Sequence, residues 1–227
     1  MQESCRQSRC KGSEQFIGFF KYGHVVLFAL GRVLGILMAL AIVGIEICDA
    51  SILNQTNFED EEMTSWEFFV TSNGTVGGEG FPAMALFEVA KDGLESTSLK
   101  FKVGQVRYEP DNHPEQGGGL VLQVRTEVGV LELSAQLAVT YSSPKDKRNL
   151  AGGLFEWLVD DQVIGSHDIG PIENGRILRH LFKASHQVNE GNHTIRLRIT
   201  RPFTSHPGQQ APFQFVDDLF IQLSPNP

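Results

Sequence analysis

The sequence has few cysteines, and none of them falls after residue 48. The three are Cys5, Cys10 and Cys48, so the chain after residue 50 cannot form an internal disulfide bond. A domain of that length can bury a sufficient core without disulfides. The lack also excludes a Cys–His catalytic pair from that part of the chain.

Basic residues are also scarce. The chain has 19 Lys and Arg against 27 Asp and Glu, a formal net charge of −8. Residues 1–50 hold five of the basic and four of the acidic residues, so the remainder carries 14 against 23, a net charge of −9. Such an acidic surface argues against nucleic acid and anionic lipid as partners. It is compatible with neutral sugars, cations or protein partners, although its commonest meaning is only solubility.

The usual catalytic signatures are missing as well. The chain has no G-x-S-x-G sequence, its histidines lack the H-E-x-x-H spacing, and Gly117–Gly119 is not followed by the Lys and Ser/Thr of a phosphate loop. Glu132 and Glu156 lie in segments that predict strands, but a sequence gives no distance between two carboxylates. We therefore expect a protein that is not an enzyme.

Residues 1–50 differ from everything after them. Five basic residues precede an uncharged apolar run, Val33–Ile45, and Cys48-Asp49-Ala50 then offers small residues for cleavage. This pattern predicts a secretory signal peptide that ends at Ala50, with the protein secreted or in the cell envelope. The alternative is a retained membrane anchor over Val25–Ile45, which would place Arg32 inside the bilayer. A membrane is a partner only in that case.

Beyond residue 50 the apolar residues alternate with polar ones. Period two predicts strands with one buried face, as in antiparallel sheets. The clearest face is Leu131, Leu133, Ala135, Leu137, Val139 and Tyr141, with Glu132, Ser134 and Gln136 on the other side. About nine such segments, separated by glycine and proline turns that include Gly117–Gly119, predict an all-β fold. We expect one antiparallel β-sandwich of the jelly-roll type over residues 51–227.

The last apolar segment, Phe213–Leu223, contains an adjacent pair of carboxylates. Asp217 and Asp218 interrupt an otherwise strand-like run, and unpaired buried charge is costly. We expect this last strand to meet the first one, near Glu59, and so to close the sandwich. Neighbouring side chains on a regular strand face opposite ways, so both carboxylates share a site only if a bulge intervenes.

Four segments resemble the carbohydrate-binding jelly rolls of the galactose-binding-like superfamily. They are Asn57-Phe58-Glu59 followed by Trp66, the hairpin Val159–Ile164, the segment Gly191–Leu197 and Val216–Leu219. The resemblance covers nearly all of residues 51–227. Asp161 stands where the hairpin of this superfamily usually has glycine. The superfamily also contains surface domains without a sugar ligand, so the fold does not settle the function.

The resemblance implies a structural calcium ion between the first and last strands. Calcium prefers six to eight oxygen ligands. Glu59 and Asp217 or Asp218 match the positions concerned, and Asp92 in the Asp92-Gly93 turn is a further candidate. The alternative is that these carboxylates cap strand ends or pair with arginine.

A sugar site needs a flat ring beside planar polar groups. Our candidate ligand-binding residues are Tyr108, Gln123, Arg125 and Tyr141, whereas we expect Trp66 and Trp157 in the core. We therefore predict an exported, non-catalytic domain that binds carbohydrate or another cell-surface ligand. The alternatives are a structural or adhesive envelope module without a sugar site, or a small glycan-active enzyme.

Overall fold

The computed structural model describes residues 50–60, 63, 65–107, 116–142, 148–149, 152–201 and 211–225. Contacts group residues 48–227 into one unit. The leader prediction lies almost wholly outside the described residues. In the described part of the chain, no helix is long and apolar enough to span a membrane.

The described residues form strands and connections. The strands are β1 (Ser51–Thr56), β2 (Glu67–Val70), β3 (Gly74–Thr75), β4 (Ala83–Phe87), β5 (Ser96–Phe101), β6 (Gly104–Gln105), β7 (Gly117–Thr126), β8 (Gly129–Thr140), β9 (Arg148–Asn149), β10 (Leu154–Val159), β11 (Gln162–Asp168), β12 (Ile172–Glu173), β13 (Ile177–Val188), β14 (Gly191–Thr200) and β15 (Phe213–Ser224).

Two antiparallel sheets make up the body of the fold. The six-stranded sheet has the order β13-β8-β15-β5-β4, and β1 also pairs with β15. The five-stranded sheet has the order β11-β10-β14-β7-β2. The pairs β12-β9 and β3-β6 are short additions. The predicted antiparallel β-sandwich is confirmed, and the first strand does pair with the last.

The core lies between the inner faces of the two sheets. The predicted face, from Leu131 on β8 to Tyr141 directly after it, is buried. It packs in one cluster with Leu120 on β7 and Ile195 on β14. Trp66 and Trp157 are also buried there, with ring centroids 6.5 Å apart. Each large side chain removed from water contributes about 1.5–3 kcal/mol. Alternation therefore identified the buried face correctly.

The hairpin that the resemblance implies at Val159–Ile164 is present in the structure. Strands β10 and β11 meet at a two-residue turn, with Val159 paired to Gln162. Asp160 and Asp161 both have positive φ, 48° and 66°, as this class of tight hairpin requires. Aspartate tolerates that backbone region better than most residues, so the turn forms without the usual glycine.

Gly117–Gly119 is not a turn, contrary to our prediction. The three glycines begin β7, between β14 and β2. A Cβ atom on Gly117 or Gly119 would lie 2.0 Å from the main-chain oxygen of Ile199 or Leu197, and one on Gly118 would lie 2.3 Å from that of Phe69. Glycine is needed here because the neighbouring strands approach this backbone too closely for a side chain.

Candidate functional site

The outer surface of the six-stranded sheet is the first candidate, and we call it the six-strand face. Its side chains form a grid because β13, β8 and β15 are in register. Each row across the three strands has one residue from each. In order along the sheet, the rows are Arg179–Ala138–Phe215, Leu181–Gln136–Asp217, Lys183–Ser134–Phe220 and Ser185–Glu132–Gln222.

A bulge in β15 places Phe220 on this face. Asp217 pairs with Gln136, and the next aligned pair is Phe220 with Ser134, so β15 contains one extra residue. Asp218 takes up the extra residue with a φ of 46°. Val216 and Leu219 consequently both point inward and are fully buried. The bulge is thus the reason why Phe220, which our sequence analysis overlooked, faces outward.

Groove A lies over the last two rows of the grid. It has a volume of about 520 Å³, and Phe220 lies among Ser134, Lys183, Ser185, Glu132 and Gln222. Phe220 is half-buried, and Gln222 donates a side-chain hydrogen bond to Glu132. Among the described residues, Ser134, Lys183 and Ser185 form no side-chain hydrogen bond or ion pair. Groove A therefore combines one aromatic ring with polar groups that remain available.

Groove B lies beside groove A over the first two rows. It has a volume of about 470 Å³ and is lined by Lys91, Gln136, Arg179, His180 and Leu181. Arg179 donates from Nε to the main-chain oxygen of Glu88 at 2.7 Å, and its Nη2 lies 2.6 Å from Oε2 of Glu88. These two contacts fix the guanidinium group at the wall of the groove.

The outer surface of the five-stranded sheet, the five-strand face, carries our candidates Gln123 and Arg125. Its shallow groove of about 390 Å³ contains Phe69, Arg196 and Arg198. The polar groups here bind one another. Arg198 donates from Nε to Glu156 at 2.8 Å, and Arg196 pairs with Asp161. The face is consequently a network of internal pairs.

Gln123 and Arg125 take part in that network. Thr194 donates its hydroxyl hydrogen to Oε1 of Gln123 at 3.1 Å, and Arg125 lies 4.0 Å from Glu190. The two residues therefore lie on one surface of the molecule but on the opposite side from grooves A and B. Their role as ligand-binding residues stays a prediction.

The other two candidate ligand-binding residues are tyrosines. Tyr108 lies outside the described residues. Tyr141 is only 1% exposed and belongs to the core cluster, so our prediction that its ring faces a ligand is wrong. The alternation along β8 had already placed Tyr141 on the inward side together with Leu137 and Val139. Burial of this ring contributes to stability and leaves no face for a sugar.

Three of the four candidate calcium ligands come together where β15 changes its neighbour. β15 pairs with β5 up to Val216 and with β1 from Leu219 onwards, so Asp217 and Asp218 lie at the change. Ser96 on β5 donates its hydroxyl to Asp217, and the amide of Thr97 donates to Glu59 at 3.0 Å. The start of β5 therefore brings Glu59, in the turn that follows β1, near the carboxylates of β15.

The electrostatics of this cluster are unfavourable. Burial raises the pKa of Asp217 to about 6, and the negative charges of Asp218 and Glu59 act in the same direction, while hydrogen bonds from Ser96 and the Asp218 amide oppose it. Partial burial and the charge of Glu59 also raise the pKa of Asp218. Three carboxylates thus repel one another in the closed sandwich.

The described residues do not by themselves provide a complete metal site. Within that part of the chain, no three His, Cys, Asp or Glu side chains are placed to hold one metal ion. Both carboxylate oxygens of Asp217 already accept hydrogen bonds. Asp92 accepts from the amide of Leu94 within its own turn. The crowded negative charge is what a cation would relieve, so calcium stays a proposal.

The two glutamates considered for catalysis are far apart in the architecture. Glu132 lies on the outer side of β8 in the six-stranded sheet. Glu156 lies on the outer side of β10 in the five-stranded sheet and is paired with Arg198. Because they occupy opposite surfaces of the sandwich, they cannot flank one glycosidic bond as hydrolysis requires.

No protein-family model and no curated protein sequence matches the chain. The solved structures to which the chain is similar include three carbohydrate-binding modules. The CBM22-1 xylan-binding domain from Paenibacillus barcinonensis Xyn10C is 13% identical with a TM-score of 0.42, over 78% of this chain and 97% of that one. TmCBM27, studied for mannan recognition, is 12% identical with a TM-score of 0.43, over 78% and 99%. TmCBM61, solved with β-1,4-galactotriose, is 12% identical with a TM-score of 0.38, over 74% and 95%.

Proposed function

We propose that this protein binds a glycan on the six-strand face without catalysing a reaction on it. The observation that carries the proposal is the position of Phe220 in groove A. Its ring lies in one row with Ser134 and Lys183, next to Ser185, Glu132 and Gln222. A sugar ring offers an apolar C–H face and a rim of hydroxyl groups, and groove A offers a flat ring and a rim of polar groups.

The polar side chains around Phe220 include groups without partners among the described residues of the protein, whereas those on the five-strand face are paired with one another. This difference favours the six-strand face as the glycan-binding surface. Binding sites use a few placed polar groups to orient a ligand. On the five-strand face such groups are bound to each other, as in the Arg198–Glu156 pair. Breaking those pairs would cost hydrogen bonds before a ligand gained any. Around Phe220, the hydroxyl and ammonium groups can bind a ligand without first breaking a hydrogen bond within the part of the protein that the structure describes.

The proposed setting is the cell envelope or the outside of the cell. The apolar run Val33–Ile45 with the small residues at 48–50 supports export. A structural or adhesive envelope module without a sugar site is the rival function. An aromatic ring among an amide, an ammonium and hydroxyl groups favours the sugar, because a purely structural face does not need a ring at this position.

A glycan array with the full chain, with and without calcium, tests the proposal. We expect binding to at least one glycan, and a loss of tenfold or more in the Phe220→Ala variant, which corresponds to about 1.4 kcal/mol. Phe69→Ala on the five-strand face is the matched control and should bind like wild type. Thermal melting of both variants shows whether each is folded. No bound glycan, or a loss with Phe69→Ala alone, would overturn the proposal.

A further inference from the structure

Groove B differs from groove A in its charge. The side chains that line it include two cations, Lys91 and Arg179, together with the amide of Gln136. No carboxylate is among the described residues that line it. The protein as a whole carries a net charge of −8, so a cationic groove is a local exception on an acidic molecule.

The two cations play different parts. Glu88 holds Arg179 in place and offsets its charge. Lys91 lies in the connection between β4 and β5, is exposed, and has no ion-pair partner among the residues that the structure describes. One oriented guanidinium group and one uncompensated ammonium group therefore face the same space. Such a fixed arginine retains donors that suit a carboxylate or a sulfate.

Asp217, the acidic residue in the first two rows, is not among the residues that line groove B. Asp217 shares a row with Gln136 and Leu181. Its carboxylate is 3% exposed and accepts hydrogen bonds from Ser96 and from the amide of Asp218. An anion in groove B would consequently meet the cations first.

Grooves A and B are adjacent along β8 and β13. The Lys183–Ser134 row of groove A is two residues from the Leu181–Gln136 row of groove B, and two strand residues span about 7 Å. A chain of sugar rings seated over Phe220 therefore reaches groove B with a neighbouring unit. Lys183, in the row of groove A next to groove B, adds a second positive charge along β13 after that of Arg179.

We propose that groove B is an anion subsite, and that the glycan bound on the six-strand face is an acidic one that carries a carboxylate or a sulfate group. This inference rests on the proposed glycan-binding function. Exposed charge pairs are weak in water, so the acidic group adds preference to the binding that groove A provides. Binding should also weaken as salt is raised, because the attraction is screened.

The test compares glycans that differ only in their charge. Isothermal titration of the full chain uses uronic-acid oligosaccharides against their carboxyl-reduced forms, and sulfated oligosaccharides against their desulfated forms. We expect at least a fivefold preference for an acidic member, lost in Lys91→Gln and retained in Lys91→Arg. Arg196→Gln removes one positive charge from the five-strand face, where Arg196 pairs with Asp161, and serves as the control. The two series show which acidic group is preferred.

Failure of this inference is distinct from failure of the proposed function. Equal affinity for the charged and neutral members, with both still lost in Phe220→Ala, overturns the anion subsite and leaves glycan binding intact. Equal losses in Lys91→Gln and Arg196→Gln would show a general charge effect and also overturn it. No binding to any of these glycans or to the array would overturn both.

Discussion

The hydroxyl of Ser96 lies 2.5 Å from Oδ2 of Asp217, at the point where the last strand changes its neighbour from β5 to β1. Asp217 is 3% exposed, and the hydrogen bond does not balance the cost of burying its charge, since the pKa is raised to about 6. We call this place, where β15 meets β1 and the start of β5, the seam. The stability of the seam should therefore depend on pH.

The first prediction concerns the pH dependence of stability. Because the folded-state pKa of Asp217 lies above the ordinary value of 3.8, the folded chain binds more protons than the unfolded chain between about pH 4 and 6. The free energy of unfolding should fall as pH rises through that window and then level off. Urea unfolding in EDTA from pH 4 to 8 should show this fall in wild type and a smaller one in Asp217→Asn. Parallel curves for the two proteins would contradict the prediction.

The second prediction concerns the core. Leu133→Ala removes a side chain that is 2% exposed and should lower the free energy of unfolding by about 2–5 kcal/mol. Leu181→Ala is the matched control, because Leu181 lies on the adjacent strand β13 but is 46% exposed. Its change should stay within about 0.5 kcal/mol. Equal losses in both variants, measured by urea unfolding, would mean that the inner face has been misidentified.

The sequence alone allowed the fold to be predicted because burial repeats along the chain. The alternation through Leu131, Leu133 and Leu137 identifies one buried face without any partner strand. The same pattern included Tyr141, so the wrong choice of its ring as a ligand platform was avoidable from the sequence. A residue that continues a buried alternation should be assigned to the core before it is considered for a site.

The candidate site could not be predicted in the same way, because it depends on register. Phe220 faces outward only because of the bulge at Asp218, and its neighbours Ser134 and Lys183 come from two other strands. One local signal was present. The inward-facing residues of this strand have even numbers up to Val216 and odd numbers from Leu219 onwards. This change in the alternation indicates an extra residue between the two. The pairing of Gln123 with Thr194 likewise requires the register of β7 and β14, which no single strand reveals.

The third prediction concerns the leader. If Val33–Ile45 is the apolar part of a signal peptide, mass spectrometry of the exported protein should give an N-terminus at or near Ser51. Ala50→Arg places a large charged residue where a small one is needed and should slow cleavage, whereas Ser51→Ala should not. An intact N-terminal segment recovered in the membrane fraction would favour the retained anchor over Val25–Ile45.

The last prediction is that calcium stabilises the seam. Glu59, Asp217 and Asp218 repel one another there, and a cation bound only to the folded chain would raise stability by RT ln(1 + [L]/Kd), about 2.7 kcal/mol when free calcium is a hundredfold above Kd. Both oxygens of Asp217 already accept hydrogen bonds from the protein. We therefore propose Glu59 and Asp218 as the side chains that coordinate calcium. Asp217 would strengthen binding only through the negative charge that it adds nearby.

Melting temperatures in EDTA and in millimolar calcium check this assignment. Wild type should melt higher in calcium, and the rise should disappear in Glu59→Gln and in Asp218→Asn but persist, reduced, in Asp217→Asn. Asp92→Asn tests whether the Asp92-Gly93 turn also supplies a calcium ligand. The Asp92 carboxylate accepts a hydrogen bond from Leu94 within that turn, so we expect the calcium response to persist in this variant. If Asp92→Asn lost the calcium response, the ligand set would also include the connection between β4 and β5. Identical melting curves in EDTA and calcium would remove the metal and leave the three carboxylates as an uncompensated strain that only protonation relieves.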